Sequence, residues 1–426
     1  MSYHKEQQTE LTVIGSGIAG LSAAFFAVQQ GMETVLVGGA GSSDFASGPL
    51  DLLSAFPGEV ITQWDDPWQA LAALPDCFPQ HPYTHMLPVE IDHALQQVLL
   101  ALDRKGLGYQ GLEHNVQLIT GLGTPKRTYR VPETMWPAIQ AWQDKSACLF
   151  VDFHGLKDVS GPWLCSALSQ AWPALRTKRV VFPDTEGRSE LFPGLLAQSL
   201  ESERVREQLA ASVAPLLRSA DACLAFPAVL GLYSSRDIVA ELEERLGLPV
   251  FEVPGLPPSI PGLRFQETMS AVLHEYACFQ RETGKQVRQG RHQPASGGFV
   301  LDLDDGEQRS RVHSQKVILA TGRFLGQGLQ AGPEQIREAV FDLPLAAPDV
   351  HSRWHQDDFF DPRGHPVNRA GLEVEAGFRP LDHTGEVIFE GLHAAGSILA
   401  HSDWMRMKCG AGVAVASAFK AVQACS

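Results

Sequence analysis

The chain has 426 residues, a formal net charge of −15, 44% hydrophobic residues and 19% charged residues. A chain of this length is expected to form two or three cooperating domains, and its composition argues against long disordered segments. The acidic balance argues against nucleic-acid binding, which normally uses a basic surface. No apolar stretch reaches the ~20 residues that span a bilayer, and residues 1–10 lack the apolar core of a secretory signal. We therefore expect a cytoplasmic protein that reaches a membrane only through a partner.

The cysteines do not form a metal-binding pattern. Their number is odd, no Cys-x-x-Cys occurs, and the spacing fits neither a zinc site nor an iron–sulfur cluster. We predict no metal site and interpret these residues as small buried thiols in a reducing compartment: Cys77, Cys148, Cys165, Cys223, Cys278, Cys409 and Cys425.

A glycine-rich turn near the start of the chain carries the clearest chemical signal. The apolar run 11–14 precedes Gly15-Ser-Gly17-Ile-Ala-Gly20, and an apolar-faced stretch follows to Gln30. Gly15 permits a tight turn, Gly17 leaves room for a phosphate, and Gly20 lets the helix lie close to the strand. The pattern predicts strand, turn and helix, with a cofactor phosphate at the helix N-terminus. The predicted contacts are Gly15, Gly17, Ile18, Ala19 and Gly20.

The second predicted strand lacks the acidic residue that usually follows it in dinucleotide sites. This strand, Thr34–Val37, runs into Gly38-Gly39-Ala-Gly41, and the acid is expected near Gly38. Glycine has no side chain that accepts a hydrogen bond from a ribose hydroxyl. Two interpretations stay open: other groups, such as backbone amides, hold the adenosine half, or the ligand has none. The second interpretation, a ligand without an adenosine half, fits FMN better than FAD or NAD.

The middle of the chain alternates amphipathic stretches with proline and tryptophan breaks. We predict helices over 87–105, 191–218 and 236–246, and short strands over 179–182 and 222–226. The dense prolines of 254–262 indicate a boundary. These features predict an inserted domain at 65–260. The flavin-binding domain then comprises 1–64, 261–330 and 389–426, with a second insertion or substrate region at 331–388.

The segment after this boundary resembles the second half of a flavin-binding domain. The pattern predicts an amphipathic helix over 265–283, closed by Gly284, and strands over 286–288, 298–303 and 309–313. A separate buried strand, 316–320, ends at Thr321-Gly322. In glycine-turn flavoproteins such an Ala-Thr-Gly end passes close to the nucleotide, so Thr321 and Gly322 are predicted cofactor contacts.

The C-terminus contains a third glycine turn and a helix of small residues. A strand over 390–395 ends at Gly396, and the helix covers 409–422. Its first amides, from Gly410 to Val413, are predicted to face a flavin ring and to stabilise the charge of the reduced form. The alternative is a core helix that begins with glycine. The predicted contacts are Gly396, Gly410, Ala411 and Gly412, and Cys409 is interpreted as packing beside them.

These features predict an α/β fold, a glycine-turn, Rossmann-like flavoprotein domain with an inserted α+β domain. The block Phe45-Ala-Ser47-Gly48-Pro49-Leu-Asp51-Leu-Leu resembles a signature of the B subunit of anaerobic glycerol-3-phosphate dehydrogenase. The N-terminal glycine turn, the Ala-Ala-Gly segment and the overall length are also similar to that family. Pro49 departs from its pattern, which has a small polar residue there.

The resemblance implies that an FMN-bearing subunit works with an FAD-containing catalytic subunit, and that an iron–sulfur subunit anchors both at the inner face of the cell membrane. The complex is expected to oxidise sn-glycerol 3-phosphate to dihydroxyacetone phosphate and to pass electrons to menaquinone. Ser47 and Gly48 are predicted cofactor contacts in the signature loop, whereas Asp51 is interpreted as fixing the loop. The resemblance does not decide which subunit oxidises the substrate.

Substrate residues are harder to predict. A phosphate-bearing polyol calls for a cation, and oxidation of its hydroxyl calls for a base. His401, Arg406 and Lys408 are the candidates, because the predicted flavin helix begins beside them. Other cations and histidines of this region are Arg323, Arg353, His355, Arg379 and His383. Two other functions stay open: a stand-alone FAD-dependent oxidoreductase of another small metabolite, and a non-catalytic scaffold subunit.

Overall fold

A computed structural model describes residues 5–39, 45–349 and 351–425. Residues 40–44, which include the end of the predicted glycine-rich stretch and Asp44 of the signature loop, lie outside the described residues. The chain forms two compact units. The first comprises the described residues of 1–42, 51–101 and 269–426, and the second comprises those of 43–50 and 102–268.

The strands in chain order are β1 Lys5–Ile14, β2 Thr34–Gly38, β3 Ala55–Phe56, β4 Thr62–Gln63, β5 Tyr109–Gln110, β6 Val116–Ile119, β7 Pro125–Thr128, β8 Val131–Pro132, β9 Cys148–Phe153, β10 Leu175–Val180, β11 Cys223–Pro227, β12 Val250–Val253, β13 Phe279–Thr283, β14 Gln286–Gln293, β15 Gly298–Asp304, β16 Arg309–Leu319, β17 Leu329–Ala331, β18 Ile336–Glu338 and β19 Leu392–Ala394.

The α-helices in chain order are α1 Ile18–Gln29, α2 Pro67–Cys77, α3 Pro88–Arg104, α4 Pro137–Asp144, α5 Gly161–Ala167, α6 Pro193–Ser199, α7 Glu203–Val213, α8 Ser235–Leu246, α9 Ile260–Leu273, α10 Trp404–Met407 and α11 Gly410–Cys425. Short 3-10 helices occur at Pro82–His85, Glu133–Met135, Ala214–Leu216, His351–Arg353, Pro366–Arg369 and Gly396–Ile398. None of the helices in the described ranges combines the length and apolarity that a bilayer crossing requires.

The first unit is built on a mixed sheet in the order β13-β2-β1-β16-β15-β14, with β19 also paired to β16. Strand β1 lies parallel to both β2 and β16, in a register that sets Val13 beside Leu36 and Ile318. Strand β19 is parallel to the last residues of β16. The carboxyl ends of β1, β2, β16 and β19 therefore meet at one edge of the sheet, where α/β folds bind their ligands.

Helices α1 and α11 pack against each other beside this sheet. The rings of Phe26 and Phe419 meet edge to face, with centroids 5.2 Å apart. Both helices are buried along almost their whole length. This burial explains why their sequences are apolar on every side rather than along a single stripe.

Strand β16 corrects the prediction of two separate strands at 309–313 and 316–320. Strand β1 pairs parallel with it along almost its whole length, while β15 pairs antiparallel with its first part and β19 pairs parallel with its last residues. No proline or glycine interrupts 309–319, so the chain stays extended while its partners change. The hairpin and the buried strand are therefore one element.

The predicted helix over 265–283 is also wrong. Helix α9 ends at Leu273, and residues 279–283 form β13, which adds to the sheet beside β2 with Phe279 opposite Thr34. Helix α9 begins earlier than predicted because Pro261 is compatible with a first helical turn, and Ser259 Oγ accepts a hydrogen bond from the Gly262 amide at 3.3 Å. Strand pairing therefore determined the conformation of residues 279–283, although their sequence pattern favours a helix.

The second unit contains a parallel sheet in the order β10-β9-β11-β12. All side chains of β9 are buried, as expected for a central parallel strand. The predicted helix over 191–218 is interrupted: α6 ends at Ser199 and α7 starts after Ser202. The predicted strand at 179–182 lies earlier, at Leu175–Val180. Predicted helices over 18–30, 87–105 and 236–246 and the C-terminal helix are confirmed within two or three residues.

A buried ion pair closes one side of the second unit's core. Arg264 donates to both carboxylate oxygens of Glu252, at 2.6 and 2.8 Å, and neither residue is more than 2% exposed. Thr134 Oγ1 and the Leu230 amide also donate to this carboxylate, at 2.6 and 2.7 Å. Because the carboxylate is fully hydrogen-bonded inside the protein, we assign the pair a structural role.

Candidate functional site

The predicted turns after β1, β16 and β19 lie together at the carboxyl edge of the first unit's sheet. The Ala320 amide donates to Ile14 O at 2.8 Å, and the Ala395 amide donates to Leu319 O at 2.9 Å. The Gly15 amide donates to Val37 O at 2.7 Å. These bonds extend the strand pairing into the turns and align the turns side by side.

Glycine is required where these turns touch. Gly15 has a φ of +112°, and a β-carbon there would overlap the carbonyl oxygen of Ala320. A β-carbon on Gly20 would overlap the carbonyl of Gly15, and one on Gly396, whose φ is +77°, would lie 2.5 Å from Ala19 Cβ. Side chains are thus excluded where the backbones of these turns meet. This geometry lets backbone amides approach a phosphate.

The start of helix α1 is suited to an anion. Its N-cap residue is Gly17, which has no side chain to cap the helix. The first turn of α1, all of which is described, holds no acidic residue. The intrahelical bonds begin with the Leu21 amide donating to Gly17 O at 2.9 Å. The earlier amides of this turn and the positive end of the helix dipole therefore face a position that a phosphate fits.

The end of strand β2 has no space for the missing acid. A β-carbon on Gly38 would lie 2.8 Å from the Ser16 amide nitrogen and 2.9 Å from Ser16 Oγ. The same hydroxyl donates to the Gly39 carbonyl at 2.6 Å and holds the strand end against the glycine turn. A ribose-binding carboxylate at position 38 is therefore incompatible with this backbone.

The Thr321-Gly322 turn carries a buried hydroxyl. Thr321 Oγ1 is buried and has no hydrogen-bond partner among the described residues. Gly322 has a φ of +70°, and a β-carbon on Gly328 would overlap its carbonyl. An unpaired buried hydroxyl costs free energy unless a further polar group pairs with it. Its position beside the glycine turns fits a polar atom of a bound cofactor.

Ser417 on helix α11 holds the third turn in place. The Gly396 amide donates to Ser417 Oγ at 2.8 Å, and this hydroxyl donates to Val413 O at 2.5 Å. Ser417 is not among the residues predicted from the sequence. The signal was present, because Ser417 is a lone hydroxyl within a run of alanine, valine and glycine.

The first residues of helix α11 pack against other parts of the chain. The Gly412 amide donates to Asp51 O at 2.8 Å, and a β-carbon on Gly412 would overlap Tyr83 Oη. The Val413 amide donates to Cys409 O. The prediction that these two amides face a flavin ring is therefore wrong, because both are already used. Gly396, Gly410 and Ala411 stay predicted contacts.

Cys409 lies in a fully buried polar cluster beneath this helix. His81 Nδ1 accepts from the Tyr83 amide at 3.2 Å, and His81 Nε2 lies 3.9 Å from Cys409 Sγ. Burial raises the pKa of Cys409 to about 12. Burial, with smaller effects of the charges on His401 and Arg323, lowers the pKa of His81 to about 3. Both groups are neutral at physiological pH, so Cys409 is a packing thiol and not a nucleophile.

The neutral His81 predicts a pH-dependent stability. The imidazole pKa is 6.5 in its ordinary state and about 3 in the folded chain. Below pH 6.5 the unfolded chain therefore binds a proton that the folded chain does not, so the free energy of unfolding falls as the pH falls, and above 6.5 this group has no effect. We expect a loss of about 1.4 kcal/mol between pH 7.5 and 5.5 from His81 alone.

Urea unfolding of wild type and His81→Gln at these two pH values measures this loss. The half-buried His85 and the buried His393, whose pKa values are also lowered by burial, contribute equally to both proteins. The variant should lose less stability than wild type on acidification. Equal losses in the two proteins would contradict the neutral state of His81.

Arg323 connects several segments of the site through backbone carbonyls. Its guanidinium donates to the carbonyls of Leu399 and Ser402, each at 2.8 Å, and to that of Asn368. It is 8% exposed, and burial lowers its pKa to about 10. With these carbonyl bonds, Arg323 links the Thr-Gly turn to residues 399–402 and does not serve as the substrate's cation.

Among the predicted catalytic residues, His401 has the most specific environment. Its Nε2 lies 2.9 Å from Glu373 Oε1, and its backbone amide donates to Arg369 O at 2.9 Å. Its φ of +63° is unusual for a residue with a β-carbon and marks a constrained position. A bridge between Leu372 and Leu399 brings the two segments together. Glu373 was not predicted from the sequence, because it lies 28 residues from its partner.

Most of the other candidate cations are paired with carboxylates. Arg406 Nη1 lies 3.7 Å from Asp403 Oδ2, and Lys408 ends helix α10 with a φ of +52°. Arg353 pairs with Asp349, and Arg379 pairs with Glu375 and Glu390. Of the predicted set, His401, Arg406 and Lys408 lie on one short segment that follows the Gly396 turn.

Ser47 and Gly48 belong to the second unit, where the structure gives Gly48 a packing role. Its φ is +103°, and a β-carbon there would lie 2.7 Å from Pro261 Cβ. Tyr109 Oη donates to its carbonyl at 3.1 Å. The predicted cofactor contact of Ser47 and Gly48 stays a prediction. Across the described ranges, no group of three or more His, Cys, Asp or Glu is placed to hold a metal ion.

The comparisons with known proteins agree with this geometry. Residues 10–413 match the family model described as FAD binding domain, so the fold and the glycine turns define an FAD-binding-type flavoprotein. The B subunit of anaerobic glycerol-3-phosphate dehydrogenase from Vibrio vulnificus is 30% identical over 97% of this chain and 95% of its own length. That of Vibrio cholerae is 29% identical over the same shares. The chain belongs to the family of anaerobic glycerol-3-phosphate dehydrogenase B subunits.

Among solved structures, a 3-ketosteroid Δ1-dehydrogenase from Sterolibacterium denitrificans aligns with 98% of this chain and 99% of its own, at 12% identity and a TM-score of 0.46. The predictions of the fold class and of the family are confirmed by the family model and the curated relatives.

Proposed function

We propose that this chain is the flavoprotein subunit of a membrane-associated anaerobic glycerol-3-phosphate dehydrogenase. The complex oxidises sn-glycerol 3-phosphate to dihydroxyacetone phosphate and passes the electrons to a quinone, menaquinone. The observation that carries the proposal is the convergence of three glycine-containing turns, around Gly15–Gly20, Thr321-Gly322 and Gly396, at the carboxyl ends of the parallel strands of one sheet. The names of the curated relatives supply the substrate.

The cofactor in this proposal is one noncovalent flavin, FMN rather than FAD. Its phosphate binds the amides at the start of α1, and Thr321 and Gly396 lie along the rest of the molecule. The preference for FMN rests on Gly38, where Ser16 excludes a side chain that would hold an adenosine ribose. Bound flavin supplies the acceptor for the hydride that leaves the substrate carbon.

The flavin content of the purified chain tests the cofactor. We expect a visible flavin spectrum and release of FMN, identified by its mass, at about one per chain. Release of FAD would contradict the argument from Gly38 and favour a stand-alone FAD-dependent oxidoreductase. A folded protein that binds neither flavin, even after incubation with both, would favour the scaffold function.

The residues of the chain that act on the substrate follow from the His401 segment. His401 takes the proton of the substrate hydroxyl, and Glu373 fixes the orientation of its ring through the 2.9 Å contact. Arg406 or Lys408, on the same segment, binds the substrate phosphate. Arg323 keeps this segment in register with the Thr-Gly turn by its bonds to Leu399 and Ser402.

The partners in the proposal are an FAD-containing subunit and an iron–sulfur membrane-anchor subunit, which hold the chain at the inner face of the cell membrane. The predicted domain boundaries after residues 64, 260, 330 and 388 remain part of this proposal. Expressed alone, the chain should not reduce a quinone with glycerol 3-phosphate as donor. Efficient quinone reduction by the isolated chain would contradict the division of labour among the subunits.

A further inference from the structure

Two cysteines face each other across the central strands of the second unit's sheet. Cys148 begins β9 and Cys223 begins β11, and the parallel register sets these two residues directly opposite each other. Neighbouring strands lie about 4.8 Å apart, which is within the range of Cα separations that a disulfide bridges. Both cysteines are free thiols, and the proposed reaction uses neither of them.

The two thiols lie on the same face of this sheet. Each packs in one apolar cluster with the residue two positions further along its strand, Phe150 on β9 and Ala225 on β11. The Cys223 sulfur also lies 3.9 Å from the carbonyl oxygen of Ala147, the residue that precedes Cys148. The register, the shared face and this contact bring the two sulfur atoms side by side.

The pair lies near one end of the sheet. Cys148 is fully buried and Cys223 is 5% exposed. The residues just before the two strands are less buried, because Ala147 is half-buried and Ala222 is exposed. This end of the sheet gives a small oxidant, such as hydrogen peroxide, a route to the pair.

The two thiols differ in acidity because one donates a hydrogen bond to the other. The bond from the Cys148 thiol lowers the pKa of Cys223, against the opposing effects of burial and of the charge on Asp221. Burial raises the pKa of Cys148 well above its usual range, and the same hydrogen bond raises it further. Because the thiolate is the nucleophile in thiol oxidation, Cys223 is the sulfur expected to react first.

We propose that Cys148 and Cys223 form a redox-sensitive thiol pair, which hydrogen peroxide converts to a reversible disulfide between β9 and β11. The Cys223 thiolate attacks one peroxide oxygen, the O–O bond breaks, and the leaving hydroxide takes up a proton to become water. The Cys148 sulfur then attacks the sulfur of the Cys223 sulfenic acid. The S–S bond forms as the S–O bond breaks, and the thiol proton leaves with the hydroxide as a second water. The two sulfurs lose two electrons, and one peroxide is reduced to two waters.

The test is treatment of the purified full chain with hydrogen peroxide, removal of the peroxide with catalase, alkylation of the remaining thiols in denaturant, and peptide mass analysis. We expect a cross-linked peptide pair that joins Cys148 to Cys223, about 2 Da lighter than the two thiol peptides together, and its loss after dithiothreitol. Cys409 and Cys425 are at most 1% exposed, and neither faces another cysteine among the described residues. Both should stay reduced and become alkylated.

Three serine variants identify the sulfurs that take part. Cys148→Ser and Cys223→Ser should each abolish the cross-linked peptide. Cys165→Ser is the matched control, because the Cys165 side chain packs against the same cluster from helix α5, and it should leave the cross-link unchanged. Cys148→Ser should also accumulate a sulfenic acid at Cys223, which dimedone traps. A disulfide from either residue to Cys165 would overturn the proposed pairing.

Oxidation at increasing urea concentrations shows whether the folded chain reacts. The yield of the cross-link after a fixed time should be the same without urea and at urea concentrations below the unfolding transition, because the two thiols already lie side by side. A pair that stays reduced in the folded chain and joins only as the chain unfolds would overturn the proposal. Equal oxidation of Cys409 would also overturn it. None of these measurements depends on flavin or on glycerol 3-phosphate, so the proposed function is tested separately.

Discussion

Gly17→Glu is expected to lower flavin affinity at least about 100-fold while the protein stays folded. Gly17 is the N-cap of α1, with φ −77° and ψ −172°, a conformation that any residue adopts. The new carboxylate would occupy the anion position at the helix start, and like charges this close cost several kcal/mol. The same charge stabilises the helix terminus by about 0.3–1 kcal/mol, so stability should not fall.

Flavin titration followed by fluorescence measures the affinity, and urea unfolding of the flavin-free protein measures the stability. Gly17→Gln is the matched control, because it adds nearly the same volume without the charge and should lose much less affinity. Unchanged flavin affinity in Gly17→Glu would contradict a phosphate at this turn. A large loss of stability would show instead that the turn tolerates no side chain.

His401→Ala is expected to lower kcat for glycerol 3-phosphate oxidation by about 10² to 10⁴, with a small change in KM, in the assembled enzyme. The reason is the loss of the group that accepts the hydroxyl proton, a contribution of this order for general bases. Glu373→Gln keeps the contact with His401 but removes the charge that orients it, and should lower kcat by about tenfold. Added imidazole should restore part of the activity of His401→Ala, because it replaces the missing base.

The control for this series is His383→Gln, since His383 is exposed on a separate turn and lies outside the His401 segment. Its kinetics should match wild type, and the flavin spectrum should be the same in all four proteins. If His401→Ala keeps full activity, the base lies elsewhere, for instance in the FAD-containing subunit. If KM rises while kcat is unchanged, His401 binds substrate rather than taking its proton.

Sequence patterns were sufficient to predict the elements whose structure depends on residues close together in the chain. The strand–turn–helix around Gly15–Gly20 follows from glycine spacing beside apolar runs, and helices α3 and α8 follow from their amphipathic repeats. Predictions failed where a distant strand decided the conformation. Residues 279–283 carry a pattern compatible with a helix, yet β13 forms because β2 offers an unpaired edge.

The sequence by itself determined the fold class, the family and the glycine turns, because each depends on residue type at fixed short spacing. Only the tertiary structure decided how the site is completed. Ser417 holds Gly396, Glu373 orients His401, and the Gly412 amide is used by Asp51. Each of these bonds joins residues that are far apart in the chain. Their pairing depends on how strands and helices pack, which no local pattern records.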